Sequence, residues 1–275
     1  MKAGEIAVKN FPTIYKDARI KEAILTMSKK RVDRLIVLNR DNTLYGILTE
    51  YDILFKLSQR IVKKFQPFNV SVASAATSPV DIAYIDTDVK TIIDMMLRGN
   101  YSSLPILNEN GVLYGLVTKY EIVRLCLQER IAEKLRNMKA RDVMDKARAN
   151  IELLHRLKEA QAKMKASGFN TLIVTYQGKF VGFISALDIA KVLFIIKKVN
   201  PTYHWEYNLS KLIVADIVNR NVKTLNPDDN ILSAVNIITL NKQKVIPIIS
   251  PEDNKVEGVI ARRHILKLLI KEGLI

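Results

Sequence analysis

Two pairs of side chains in this sequence have the spacing of a helix start: Thr49 with Asp52, and Ser185 with Asp188. In each, a glycine and two apolar residues lead into the hydroxyl residue, and the carboxylate follows three positions later. That order predicts a strand running straight into a helix, with the hydroxyl at the N-cap and the carboxylate at N3. The unpaired N–H groups and positive dipole end of such a terminus attract phosphate. A carboxylate at N3 can accept hydrogen bonds from the 2′ and 3′ hydroxyls of a ribose, and the N-cap hydroxyl can serve a phosphate or ribose oxygen. The same pattern is also a capping box, which needs no ligand. A third copy, Thr118 with Glu121, fits the capping reading better than the other two, because Glu has the reach a capping box prefers. The fourth copy, Ala261 with His264, has neither cap nor carboxylate.

The elements that must position these groups recur with them. The glycines of the four copies, Gly46, Gly115, Gly182 and Gly258, stand 69, 67 and 76 residues apart, a duplicated unit of small-domain size. Before each glycine comes an amphipathic stretch of helical spacing, such as Ile20, Ala23, Ile24 and Met27. An apolar run of strand length follows: Leu35 to Leu38, Leu104 to Leu107, Leu172 to Val174 and Val245 to Ile249. A turn rich in Asn, Asp or Gly then leads to the glycine strand. A short extended segment opens the unit at Phe11 to Tyr15, Ile82 to Ile85 and Val222 to Leu225, and is expected to be weakest in the third copy, near Ala147 to Ile151. The unit is thus β-α-β-β-α.

Basic residues just before the second strand of each unit could neutralise phosphates: Lys30, Arg31 and Arg34, then Arg98, then Lys165, then Lys242 and Lys244. Their plainer role is a solvated charge at a helix C-terminus. Arg34 and Lys244, directly at the strand start, are the candidates for ligand contact. His155, His204 and His264 have no cysteine or carboxylate at ligand spacing, so no metal site is expected. The aromatic group Tyr203 to Tyr207 could stack a base, although packing of a linker explains it as well. The basic stretch from Arg130 to Lys165 reads as a solvated, ion-paired helix face.

Composition narrows the function classes. The 275 residues are 48% apolar and 26% charged, with 10 Gly and 8 Pro, which is globular rather than disordered or collagenous. A lone cysteine, Cys126 in an apolar stretch, excludes an internal disulfide and points to a reducing setting. With no secretory signal pattern and no long apolar run, a cytoplasmic protein is expected. The net charge of +15 suggests an anionic partner. No phosphate-binding loop, dinucleotide fingerprint, zinc-protease motif or nucleophile elbow is present, so nothing argues for an enzyme.

Four copies in register resemble the cystathionine-beta-synthase (CBS) domain family, whose repeat ends in glycine, two apolar residues, Ser/Thr, any two, and Asp/Asn. The resemblance implies an α+β fold in which consecutive repeats pack sheet against sheet, and two such modules form a flattened disc. Repeats are expected at 1–66, 67–137, 138–200 and 201–275, paired into modules 1–137 and 138–275, an arrangement similar to the gamma subunit of the AMP-activated protein kinase. It also implies that Thr49 with Asp52 and Ser185 with Asp188 contact nucleotide, with Thr118, Glu121, Arg34 and Lys244 as further binding positions. The function so implied is a regulatory sensor of adenosine-containing ligands (AMP, ADP, ATP or S-adenosylmethionine) that signals occupancy to a protein partner, as a monomeric disc or a homodimer. The alternative is a basic nucleic-acid-binding scaffold. Charge converging on the crevices would favour the sensor, and charge spread over one face the scaffold.

Overall fold

The computed structural model describes residues 1–61, 69–146, 150–199 and 210–275. The aromatic group Tyr203 to Tyr207 and His204 lie outside the described residues. The first unit comprises β1 (Thr13–Tyr15), α2 (Ile20–Lys30), β2 (Arg34–Leu38), β3 (Leu44–Thr49) and α3 (Glu50–Ile61), preceded by the short α1 (Ala3–Ile6). The second comprises β4 (Ala83–Tyr84), α4 (Val89–Arg98), β5 (Ser103–Leu107), β6 (Leu113–Thr118) and α5 (Lys119–Arg124), followed by α6 (Glu129–Leu135). After α7 (Ala140–Val143), the third runs β7 (Asn150–Glu152), α8 (Leu157–Ser167), β8 (Thr171–Tyr176), β9 (Lys179–Ser185) and α9 (Ala186–Val199). The fourth has α10 (Ile231–Leu240), β10 (Val245–Ile249), β11 (Val256–Ala261) and α11 (Arg262–Lys271).

Within a unit the first strand pairs parallel to the second and the second antiparallel to the third, as in β1-β2-β3. The crossover helix buries the face its spacing predicts: Ile20, Ala23, Ile24 and Met27 of α2 are all buried. Each crossover helix ends in a left-handed residue, Arg31, Asn100, Gly168 or Lys242, with φ between 51° and 69°. That residue turns the chain so that the second strand starts three positions later in every unit. The opening strand departs from expectation. It is well formed in the third unit, where Asn150–Glu152 pair with Ile173, Val174 and Thr175, and is reduced in the fourth to one bridge, Leu225 to Ile248. The basic stretch from Arg130 to Lys165 is not one helix either, since α6, α7, β7 and α8 divide it.

The motif glycines show how the units pair. Each has room for no side chain because a segment belonging to the partner unit crosses it. An added Cβ on Gly46 would meet the Thr77 carbonyl at 2.2 Å, on Gly115 the Val8 carbonyl at 2.7 Å, on Gly182 the Asn219 carbonyl at 2.2 Å and on Gly258 the Asp145 carbonyl at 2.9 Å. Backbone bridges Ile47–Thr77, Val8–Leu116, Phe183–Asn219 and Asp145–Val259 fix the crossings. Units 1 and 2 therefore exchange their leading segments, and so do units 3 and 4. Ile36, Leu38, Ile47 and Leu116 form the apolar layer between the sheets of the first pair. The two modules meet through helices: α3 packs on α9, and α5 packs on α10 and α11. Leu54 and Phe55 of unit 1 share a core with Ile184, Ile189 and Leu193 of unit 3, and one continuous core spans units 2 and 4.

Candidate nucleotide site at the meeting of four repeats

All three Ser/Thr-x-x-acid copies fold as helix starts, with the same hydrogen bonds. Asp52 Oδ2 accepts from the Thr49 N–H at 2.9 Å and from its hydroxyl at 2.6 Å. Asp188 Oδ2 accepts from the Ser185 N–H at 3.0 Å and hydroxyl at 2.7 Å. Glu121 Oε2 accepts from the Thr118 N–H at 2.8 Å and hydroxyl at 2.5 Å. Glutamate and aspartate thus cap alike here, and reach does not set the third copy apart. The fourth copy corrects the sequence reading, because it is capped by an imidazole: His264 Nδ1 accepts from the Ala261 N–H at 3.1 Å. Burial and the adjacent Arg263 push the His264 pKa down to about 4, so the ring stays neutral and able to accept.

The second carboxylate oxygen distinguishes the copies. Asp52 is 6% exposed, and its Oδ1 accepts from the Thr77 hydroxyl at 3.2 Å. Asn219 occupies the equivalent crossing over unit 3, but its side-chain oxygen accepts from the Asn221 N–H at 3.0 Å. Among the described residues no side chain bonds Asp188 Oδ1, and Asp188 lines a cavity of about 880 Å³. Ser185, Thr118 and Glu121 line the same cavity, with Lys244 and Arg262. Thr49 lines a second cavity of about 570 Å³, with Lys119, Arg263 and His264.

Between the cavities lies a polar cluster to which every repeat contributes. Arg34 donates to both Asp33 oxygens, at 2.8 and 3.1 Å, and to the hydroxyls of Ser102 and Ser103 at 2.9 Å. Lys244 Nζ lies 3.1 Å from Asp33 and 2.5 Å from Glu50, and Glu50 also accepts from Asn170 Nδ2 at 2.8 Å. Asp33, Ser102, Asn170 and Lys244 hold one position in the four repeats, two residues past the left-handed helix end. Glu50, Lys119, Ala186 and Arg262 hold another, the first residue of the helix after the motif. The two positions are tied together by N–H donation from Glu50 to the Asp33 carbonyl, Lys119 to Ser102 and Ala186 to Asn170. Both candidate cations, Arg34 and Lys244, are therefore engaged by carboxylates.

Electrostatics in this cluster are unequal. Burial opposes ionisation of Asp33, yet Arg34 and Lys244 hold its carboxyl well below the usual range. Glu50 is raised, because burial outweighs Lys244. Lys119 is 8% exposed and no described carboxylate bonds it. Burial, with Arg263 and Arg34 nearby, brings its pKa down to about 8. The Arg262 guanidinium stacks 5.5 Å over the Tyr120 ring, and among the described residues its buried Nε has no partner. Buried cations of this kind are stabilised by an anion beside them. Asp33, Glu50, Lys119, Asn170 and Arg262 escaped sequence reasoning. The signal that could have found them was their fixed offset from the helix end and from the motif, since chemistry at those offsets differs in every copy. Burial raises Cys126 to about 12, which makes it an inert core thiol in a 3-10 turn. Among the described residues no group of three His, Cys, Asp or Glu side chains could hold a metal, and no helix is long and apolar enough to cross a membrane.

The CBS domain profile matches residues 3–59, 72–128, 140–195 and 214–271. In sequence the chain is 25% identical to the uncharacterized protein MJ1225 of Methanocaldococcus jannaschii, over 94% of this chain and 95% of that one. The crystal structure of MJ1225, described as a candidate archaeal homolog of g-AMPK, superposes with a TM-score of 0.87 at 23% identity, covering 98% of this chain and all of that one. An uncharacterized conserved protein from Pyrococcus horikoshii matches with a TM-score of 0.63 at 19% identity, again over 98% of this chain. With four matched repeats over most of its length, the chain belongs to the CBS domain family.

Proposed function

We propose that this protein is a regulatory sensor of phosphorylated adenosines, AMP, ADP or ATP, which it binds in the cavities where its four repeats meet. The observation that carries this reading is the placement of Ser185 and Asp188, with one carboxylate oxygen that no side chain bonds among the described residues, in the same cavity as Lys244 and Arg262. A ribose acceptor and phosphate partners thus face one space. The adenine and ribose would lie toward Asp188 and the phosphate toward the central cations. The crevice at Thr49, opening beside Lys119 and Arg263, is the second candidate site.

Charge selects among the adenosine ligands. S-adenosylmethionine carries a sulfonium and an ammonium against one carboxylate, whereas the nucleotides are anions. Nine lysine and arginine side chains line the larger cavity against four carboxylates, which favours the nucleotides. This convergence of charge on the cavities also supports a nucleotide sensor over a nucleic-acid scaffold. Occupancy would reach a protein partner through a differential affinity of ligand for two arrangements of the modules.

The test is calorimetric titration of nucleotide-stripped protein at 200 mM salt. A nucleotide makes few ionic contacts, so its affinity is expected to stay micromolar or tighter, about −8 kcal/mol. Binding to DNA or RNA through 6–10 phosphate contacts would instead fall about 10³- to 10⁵-fold between roughly 50 and 200 mM salt. Absence of nucleotide binding, with tight and specific nucleic-acid binding at 200 mM salt, would replace the sensor reading with the scaffold.

A further inference from the structure

Four equivalent residues begin the helices that follow the motif, and their charges differ: Glu50, Lys119, Ala186 and Arg262. Two are cations without a carboxylate partner among the described residues, and one is neutral. Glu50 alone is an anion. It is 1% exposed, stands in the wall of the larger cavity and belongs to the first module. Its partners, Lys244 Nζ at 2.5 Å and Asn170 Nδ2 at 2.8 Å, both come from the second module. An ammonium and an amide converging on a helix start are the partners a phosphate oxygen would take. Asp33 claims the other side of Lys244 at 3.1 Å and both donors of one edge of Arg34. Both cavities touch Asp33, Arg34 and Lys244.

We infer that Glu50, with Asp33 beside it, is a built-in anion that sets how much phosphate charge the centre accepts, and so makes the sensor prefer adenosine monophosphate to triphosphate. The inference rests on the phosphoadenosine reading above. Arg262, which lines both cavities, remains to neutralise one phosphate. A triphosphate tail would bring further oxyanions against Glu50 and Asp33 in a water-poor cluster, where like charges repel more strongly than in water. Competition for Lys244 also links binding to the module interface, because a phosphate that draws Lys244 away loosens its tie to Glu50. In this way the residue that limits charge also reports occupancy.

Glu50→Gln tests this, since the amide oxygen can still accept from Lys244 and Asn170 while Asp33 keeps the lysine paired. The full chain and the variant are titrated with AMP and with ATP in magnesium-free buffer. Wild type is expected to bind AMP more tightly than ATP. In the variant ATP should gain roughly tenfold and AMP less, the size expected for removing one buried charge several ångströms from the phosphates. Asp33→Asn, assayed in the same way, should shift the ratio in the same direction and decides the matter if Glu50→Gln does not fold. A second readout uses no adenosine: stabilisation against heat by inorganic tripolyphosphate relative to orthophosphate should be greater in Glu50→Gln than in wild type. Wild type that binds neither AMP nor ATP overturns the phosphoadenosine reading, and the tripolyphosphate comparison then decides the role of Glu50 alone. An unchanged or widened AMP-to-ATP ratio in folded variants, or no difference with tripolyphosphate, overturns the inference.

Discussion

Asp52 and Asp188 occupy the same position in two copies of one motif and cap their helices with the same bonds, yet they face different surroundings. The segment crossing Asp52 brings the Thr77 hydroxyl onto its second oxygen. Over Asp188 the equivalent Asn219 turns to its own loop, and the carboxylate looks into the larger cavity. A motif therefore specifies a helix start, while the partner repeat decides whether that start is open. The ligand-binding potential of a repeat is a property of the module.

The largest expected effect comes from disturbing a crossing. Gly46→Ala would drive a methyl group against the Thr77 carbonyl, 2.2 Å away, and backbone must move. Overpacking of that kind should cost about 3 kcal/mol, read as a lower denaturant midpoint, and should disorganise the Asp52 site while sparing Asp188. Next come the carboxylates themselves. Asp188→Ala should weaken nucleotide binding roughly ten- to a hundred-fold, the loss of one charge-assisted hydrogen-bond set. Asp52→Ala should act first on stability, at about 1–2 kcal/mol for a lost cap. Nucleotide affinity unchanged in the double variant would make both carboxylates caps alone.

How much of this could be read in the sequence follows from the same contrast. Helix, strand, turn and cap signals are local, so the β-α-β-β-α unit and the N-cap and N3 roles of Thr49, Asp52, Ser185 and Asp188 were legible. Pairing of adjacent repeats came with the family resemblance, and the glycines supplied its physical reason only once the crossing carbonyls were seen. Leu225 forms a single bridge where a strand was expected, because strand formation depends on an edge supplied elsewhere in the fold. His264 capping Ala261 was missed, since capping rules centre on oxygen acceptors while an unprotonated imidazole nitrogen serves as well. The central cluster joins residues from Asp33 to Arg262, and no local pattern reports such a meeting.

Lys119 gives a smaller effect with opposite signs in its two readouts. A lysine whose folded pKa lies near 8, below its ordinary 10.5, costs stability at neutral pH, and the cost disappears as pH rises through that interval. Lys119→Met should therefore stabilise the ligand-free protein by about 2 kcal/mol while weakening phosphate binding in the smaller cavity. Urea denaturation at pH 7 and at pH 10 checks the sign, because the gain should shrink at the higher pH. Smallest is Thr77→Val, which removes the hydroxyl that donates to Asp52 Oδ1. Its expected cost is about 1 kcal/mol of stability for one lost hydrogen bond, read as a lower denaturant midpoint.

A phosphorylated adenosine held at Asp188 is the ligand we propose for these cavities. The most direct test is a parallel titration of stripped wild-type protein with AMP and with S-adenosylmethionine at 200 mM salt, repeated on Asp188→Ala. Micromolar or tighter AMP binding, much weaker S-adenosylmethionine binding, and loss of most AMP affinity in the variant are expected. S-adenosylmethionine bound more tightly than AMP, or AMP affinity untouched by Asp188→Ala, would contradict it.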